Sequence, residues 1–315
     1  MRASGYTLTP TYRKAATILK FKPMTAADIP SLLPFVAAAA TRTCDFSIGG
    51  MVMWADWFRY RMCIHSNTLF VKGLSEDDLS TPAFSLPVGE LPLAESIALL
   101  KSYCRARHIP LLLSAVPEEY VAPLRALGAT SVTELPAWAD YLYDIDSLAT
   151  FAGKKLNKKR NHINRFVADN PGYTIEPITD ANIADVRAFF AALPLPDNKP
   201  LMADYDRCKV AEVLSAPDRY PFEGAALRVP GAGIVAFAFG EISGDTLIVH
   251  IEKIDHTVAG AGEVMCRDFA AMMRSLHPGL MYENREDDAG DPGLRQAKQA
   301  LNPCAMLRKF NVRFD

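Results

Sequence analysis

The chain has 315 residues, 50% hydrophobic and 22% charged, a balance that indicates about two globular domains and excludes disorder. A formal net charge of −2 excludes a globally basic nucleic-acid binder while leaving room for a local cationic face. Six scattered cysteines, with no close pair and no histidine at ligand spacing, predict neither a metal site nor a disulfide framework, and so a reduced, cytoplasmic protein.

Taken in chain order, the first signals concern membranes. Ala15–Leu19 is too short for a secretory apolar region, and the longest apolar stretch, Leu32–Ala40, contains Pro34 and falls well short of the roughly 18 residues that span a bilayer. No transmembrane segment is expected.

The chain then begins twice. Phe21–Ala38 aligns without a gap on Ile175–Ala192, 154 residues later, and seven of the eighteen pairs are identical, among them Pro23/Pro177, Thr25/Thr179 and Phe35/Phe189. An internal repeat at half the chain length predicts a tandem duplication. The predicted organisation is an N-terminal domain over 1–150, a basic linker helix over 151–170, and a C-terminal domain over 171–315 that carries the active site.

The first copy reads as helix Glu95–Arg107, strand Leu111–Val116, helix Glu118–Leu127 and strand Trp138–Tyr143. The linker, Phe151–Asp169, holds Lys154, Lys155, Lys158, Lys159, Arg160 and Arg165, and Asn170-Pro171-Gly172 closes it as a turn. At about 100° per residue, Lys154, Lys155, Lys158, His162 and Arg165 share one face, and Leu156, Ile163 and Val167 gather opposite. The cationic strip, with Arg160, is either a solvated face or a site for a polyanion, tRNA or an anionic phospholipid headgroup.

In the second copy Gly233–Glu241 and Thr246–Glu252 are β-rich runs joined at Ser243-Gly244-Asp245, a predicted hairpin. A helix follows over Glu263–Leu276, with Met265, Phe269, Met272 and Leu276 at helical spacing, and His277-Pro278-Gly279 stops it. Strand Leu280–Tyr282, a helix around Gly293–Leu301 and a last strand near Ala305–Val312 complete an α/β order, a mixed central sheet flanked by helices in each copy.

Two segments carry chemistry. Thr257, Gly260, Ala261 and Gly262 form a strand-to-helix turn whose backbone N–H groups and helix dipole suit a pyrophosphate, although a Gly-x-Gly alone is equally a plain turn. Tyr282-Glu283-Asn284-Arg285-Glu286-Asp287-Asp288 is a polar run at a strand end, where α/β folds place ligands. Acyl transfer requires a base, a proton donor to the leaving group and a hold on the donor's phosphates; Glu252, Tyr282 and Arg285 fit these roles. The competing readings are a Glu252–Lys253 surface pair, a core Tyr282, and Arg285 in an ion-pair network with Glu286 and Asp287.

The turn at Thr257–Gly262 resembles the coenzyme A pyrophosphate loop of the Gcn5-related acyltransferases, Gln/Arg-x-x-Gly-x-Gly/Ala, with Thr257 in place of the first residue; the first copy's Val88-Gly89-Glu90 matches it less well. More widely, the basic run Lys154–Phe166, His250-Ile251-Glu252-Lys253, Tyr282-x-Asn284-Arg285-Glu286-Asp287 with Gly293-Leu294-Arg295, and Cys44-Asp45-Phe46-Ser47 together resemble the C-terminal domain of phosphatidylglycerol lysyltransferases. That resemblance implies two tandem acyl-CoA N-acyltransferase-like domains and transfer of an aminoacyl group from aminoacyl-tRNA to a headgroup hydroxyl. The expectation is therefore a soluble acyltransferase whose donor is aminoacyl-tRNA or acyl-CoA, held by Thr257, Gly260, Ala261, Gly262 and Asn284, whose acceptor is a hydroxyl or amine, and which has no tightly bound cofactor. The alternative is a non-catalytic protein of the same fold that binds a nucleotide, small metabolite or lipid headgroup.

Overall fold

The computed structural model describes residues 19–194 and 201–315, so most of the apolar stretch Ala15–Leu19 lies outside the described residues. Two compact units are present, and they interleave along the chain. Described residues up to Thr41, Trp54–Trp138 and Arg308–Asp315 form the first; Arg42–Met53 and Ala139–Leu307 form the second.

The first unit contains β1 (Lys22–Pro23), α1 (Ile29–Ala38), β2 (Arg61–His65), β3 (Thr68–Leu74), β4 (Pro82–Phe84), β5 (Val88–Gly89), α2 (Leu93–Arg105), β6 (Leu111–Pro117), α3 (Val121–Ala126) and β7 (Ser131–Glu134). The second begins with β8 (Asp140–Asp144), α4 (Ile145–Thr150), α5 (Asn157–Asp169), β9 (Thr174–Pro177), α6 (Ile183–Ala192) and α7 (Leu201–Ser215). It continues through β10 (Phe222–Val229), β11 (Gly233–Ser243), β12 (Thr246–Ile254), α8 (Ala261–Leu276), β13 (Tyr282–Asn284), α9 (Pro292–Ala300) and β14 (Ala305–Leu307). The last strand, β15 (Lys309–Phe314), belongs to the first unit.

Strand order in the first sheet is β1-β2-β3-β4-β6-β15-β7, with β5 beside β3; in the second it is β14-β8-β13-β12-β11-β10-β9. Each sheet is mixed, because β4 runs parallel to β6 and β12 parallel to β13 while the other pairs are antiparallel. The exchange is reciprocal: β15 inserts between β6 and β7, and β8 inserts between β13 and β14.

This moves the unit boundaries away from those predicted at 150 and 170. The predicted strand Trp138–Tyr143 sits in the second sheet, and the predicted last strand divides into β14 and β15, one in each sheet. Asp140, Tyr141, Leu142 and Tyr143 are all buried, as a central strand covered on both faces requires. The linker helix is likewise part of the second unit, where Ile163 and Phe166 join its core.

The repeat is visible in local structure. Helices α1 and α6 occupy the same positions of the two aligned segments. Thr25 N–H donates to Asp28 Oδ2 at 2.9 Å, and Thr179 N–H donates to Asn182 Oδ1 at 2.8 Å, so the same side-chain contact precedes both helices. In α8 the buried ridge is Val264, Met265, Phe269, Ala270 and Met273, while Leu276, predicted to pack, is 56% exposed. Burying a side chain such as Phe269 contributes about 1.5–3 kcal/mol.

Candidate functional site

Strand β13 pairs with β12 for three residues only, Thr246 with Tyr282, Leu247 with Glu283 and Ile248 with Asn284. Beyond Asn284 the chain turns toward β8, Arg285 N–H donating to Tyr141 O at 3.1 Å, while β12 continues along β11 to Ile254. A wedge opens between two strands that were neighbours. Charged side chains fill it: Arg285 Nη2 lies 2.6 Å from Glu252 Oε2, and Arg285 Nη1 lies 2.8 Å from Glu283 Oε1 and 3.3 Å from Cys266 Sγ. Side-chain exposure is 9% for Arg285, 19% for Glu252 and 0% for Glu283. Burial pushes the Glu283 carboxyl up to about 7 although Arg285 pulls it down, and its Oε2 has no hydrogen-bond partner.

Arg285 is thus committed to two carboxylates instead of presenting its fork to a phosphate. Its partners are Glu252 and Glu283, not Glu286 and Asp287. Neither do Glu252 and Lys253 form a surface pair: adjacent strand residues face opposite sides, and Lys253 Nζ contacts Asp206 Oδ2 at 2.6 Å.

Tyr282 stands apart from Glu252. In register it faces Thr246, six residues before Glu252 on β12, a separation of about 20 Å at 3.3 Å per residue. Its ring carries the Arg42 guanidinium 4.6 Å from the centroid. Asn284 is buried, donating to Arg42 O at 2.7 Å and Asp140 Oδ2 at 2.9 Å while accepting from Glu286 N–H at 2.6 Å. Both of its amide hydrogens are committed within the protein, which leaves it none to offer a donor substrate.

The predicted pyrophosphate turn is used differently. Asp255 Oδ1 accepts from Thr257 N–H (2.9 Å) and Oγ1–H (2.6 Å), closing the turn on itself. Gly260 has φ +85°, and a Cβ there would lie 2.8 Å from His162 O and 3.0 Å from Phe166 Cβ. The glycine admits helix α5, not an anion. Ala261 is fully buried, and a Cβ on Gly262 would meet Ile254 at 3.0 Å. At the first turn of α8, Glu263 Oε1 meets Lys159 Nζ at 3.0 Å and His162 Nδ1 at 3.1 Å. Burial raises this carboxyl, but the hydrogen bonds to Lys159 and His162 outweigh it and leave it below its ordinary value.

The linker cations divide into two groups. Lys154 and Lys155 precede α5, and with Lys158 they are exposed. Arg165 is exposed beside Asp169 at 3.4 Å. Arg160 donates to Phe151 O (2.8 Å) and Gly153 O (3.2 Å), capping the end of α4, and His162 belongs to the Glu263 cluster. The apolar face is Leu156, Ile163 and Phe166; Val167 is exposed.

One polar centre was not selected from sequence. His250 is buried, with Nδ1 2.7 Å from Glu286 Oε1 and Nε2 3.3 Å from Glu241 Oε2. Burial lowers its pKa, but the two carboxylates outweigh that and raise it to about 9. Glu241 also accepts from Ile48 N–H (2.9 Å) and Gly49 N–H (3.0 Å). The signal available in the sequence was the run His250-Ile251-Glu252-Lys253 within a β-rich segment, in which the His250 side chain is 1% exposed.

Cys44, Asp45 and Asp140 bring candidate metal-ligand atoms within 4.8 Å of one another. The Asp140 carboxylate already accepts from Cys44 N–H (2.7 Å), Cys44 Sγ–H (3.4 Å) and Asn284 Nδ2–H (2.9 Å), donors that a cation would repel. A cavity of about 260 Å³ lined by Ile178, Thr179, Phe222, Glu223, Phe239 and Met272 reaches none of the predicted site residues.

Residues 36–313 match the family described as phosphatidylglycerol lysyltransferase, C-terminal. The chain belongs to this family. A conserved protein of unknown function from Bacteroides thetaiotaomicron superposes at TM-score 0.83 with 29% identity, covering 94% of this chain and all of the other. L-PGS from Bacillus licheniformis superposes at 0.57 with 15% identity over 90% and 91% of the two chains. FemX superposes at 0.57 with 9% identity over 93% and 97%. The last two share the fold, which is that of tandem Gcn5-related acyltransferase-like domains. No curated protein matches the sequence. Family and fold point to transferase activity, and no helix among the described residues is long and apolar enough to cross a membrane.

Proposed function

We propose that this chain transfers an aminoacyl group from aminoacyl-tRNA to a hydroxyl or amine acceptor, with Glu252 as general base at the wedge between β12 and β13. The observation that carries the reading is this wedge: a parallel pair that separates after three residues, with a part-exposed carboxylate at its side held by a buried guanidinium. Glu252 takes the proton of the acceptor O–H or N–H as the nucleophile adds to the ester carbonyl. The bond from that carbonyl carbon to the tRNA ribose oxygen then breaks, and the proton passes to the leaving oxygen.

The packing of Gly260 on His162 O, with Glu263 in the first turn of α8, favours aminoacyl-tRNA over acyl-CoA. A pyrophosphate there would meet a carbonyl and a carboxylate. Lys154, Lys155, Lys158 and Arg165 offer exposed cations to a polyanion instead. Incubation of the purified chain with charged tRNA and a panel of hydroxyl and amine acceptors, including phosphatidylglycerol vesicles, tests the proposal: transfer that depends on Glu252 supports it.

A second reading, a non-catalytic binding protein, is favoured by the Glu252–Arg285 contact, which occupies the base. Calorimetry with coenzyme A, acyl-CoA and charged tRNA separates the two, because binding without turnover across the panel selects the second.

A further inference from the structure

Arg285 serves two carboxylates at once, and the set is enclosed. With both acids ionised, one guanidinium and two carboxylates leave an uncompensated negative charge in a site where the exposures are 9%, 19% and 0%. Burying an unpaired charge is strongly unfavourable, so the set is stable when the pair of acids holds one proton.

Among the described residues, Arg285 is the cation that acts on Glu283. Cys266 of α8 contacts Arg285, and Tyr143 of β8 pairs with Glu283; Glu263 acts on Cys266, and Tyr141 on Tyr143. Burial pushes the Cys266 thiol and the Tyr143 phenol well up, so both are neutral, and burial with the Asp288 hydrogen bond raises Tyr141 to about 12. Glu263 is matched by Lys159 and His162, and Lys253, next to Glu252, is matched by Asp206.

The two acids differ in where a proton rests. Glu283 Oε2 is buried without a partner, whereas Glu252 keeps partial contact with solvent. A neutral acid tolerates the first environment and an ionised one the second.

We propose that Glu283 and Glu252 share a single proton across Arg285, that Glu283 keeps it, and that Glu283 is therefore a positioning residue that leaves Glu252 ionised and able to accept a proton. The role assigned to Glu252 rests on the function proposed above; the sharing of the proton does not. Glu283 touches no substrate in this scheme. It acts through Arg285.

The test is pH-difference infrared spectroscopy of the full chain, following protonated carboxyl groups without any substrate. The wild type is expected to lose one such band as pH passes through the neutral range, and Glu283→Gln is expected to abolish that change. Glu252→Gln leaves Arg285 to Glu283 alone, so the band is expected to titrate at least one pH unit lower, a tenfold change in proton affinity. Should Glu283→Gln not fold, the Glu252→Gln shift carries the test alone. A neutral-range band that survives Glu283→Gln, or that stays in place in Glu252→Gln, overturns the proposal. A correct infrared result without aminoacyl transfer would reject the enzyme reading and leave the shared proton standing.

Discussion

A methyl group on Gly49 would lie 2.4 Å from the His250 imidazole. The absence of a side chain at 49 is what lets the histidine sit between Glu241 and Glu286 while the Ile48 and Gly49 N–H groups reach Glu241. Gly49→Ala forces the ring or the 44–53 segment to move, and overpacking of this kind costs about 1–3 kcal/mol. Urea unfolding is expected to show that loss, whereas Gly279→Ala, with nothing within 4 Å of the added methyl, is expected to be near neutral.

The same histidine gives stability a pH dependence. His250 is raised from 6.5 to about 9, so its contribution is complete below the unfolded value and is lost as pH rises through 9. Glu283, raised from 4.5 to about 7, acts in the same direction over a lower window, its contribution being lost as pH rises through 7. Urea midpoints are expected to fall from pH 5 to 9, the unfolding free energy dropping by on the order of 3 kcal/mol for each group if fully expressed. Glu283→Gln should flatten the part below about pH 7 and leave the fall between 7 and 9. A midpoint that rises across this range contradicts both assignments.

Much of the fold is legible in the sequence because it is locally encoded. The correspondence of α1 with α6 follows from the repeat, the β11–β12 hairpin from two β-rich runs around Gly244, and α8 from Met265 and Phe269 at helical spacing. The strand exchange is not legible, since burial along β8 and alternation along β15 say that each is a strand but not which sheet receives it. The site divides in the same way. The run Tyr282–Asp288 marks a strand end, but register alone separates Tyr282 from Glu252, and the short pairing of β13 brings Arg285 to Glu252 across 33 residues. Gly260 reads as an anion turn because a glycine at a helix start serves either an anion or a close helix crossing; only the position of His162 decides between them.

The exposed linker cations make a salt-dependent prediction. Lys154, Lys158 and Arg165 changed together to Ala are expected to weaken tRNA binding and reduce the slope of log affinity against log salt by about 2–3. Filter binding at several salt concentrations measures both. Arg160→Ala is expected to act differently, lowering stability through the lost cap on Phe151 O and Gly153 O, with the salt slope unchanged. An unaltered slope in the triple variant would remove α5 and its approach from the donor site.

The last prediction sets Glu252 against Tyr282. If Glu252 takes the acceptor proton, Glu252→Gln keeps the shape and a hydrogen bond to Arg285 but removes the base, and kcat is expected to fall about 10²–10⁴-fold with little change in KM. Tyr282→Phe removes only a hydroxyl, keeps the ring under Arg42, and lies opposite Thr246, six residues before Glu252 on β12, so turnover is expected to stay at the wild-type level. Steady-state kinetics on the acceptor identified in the panel distinguishes the two. A Tyr282→Phe loss as large as that of Glu252→Gln would mean that the reacting groups meet at the Thr246 end of the strand, and the wedge would no longer be the place of transfer.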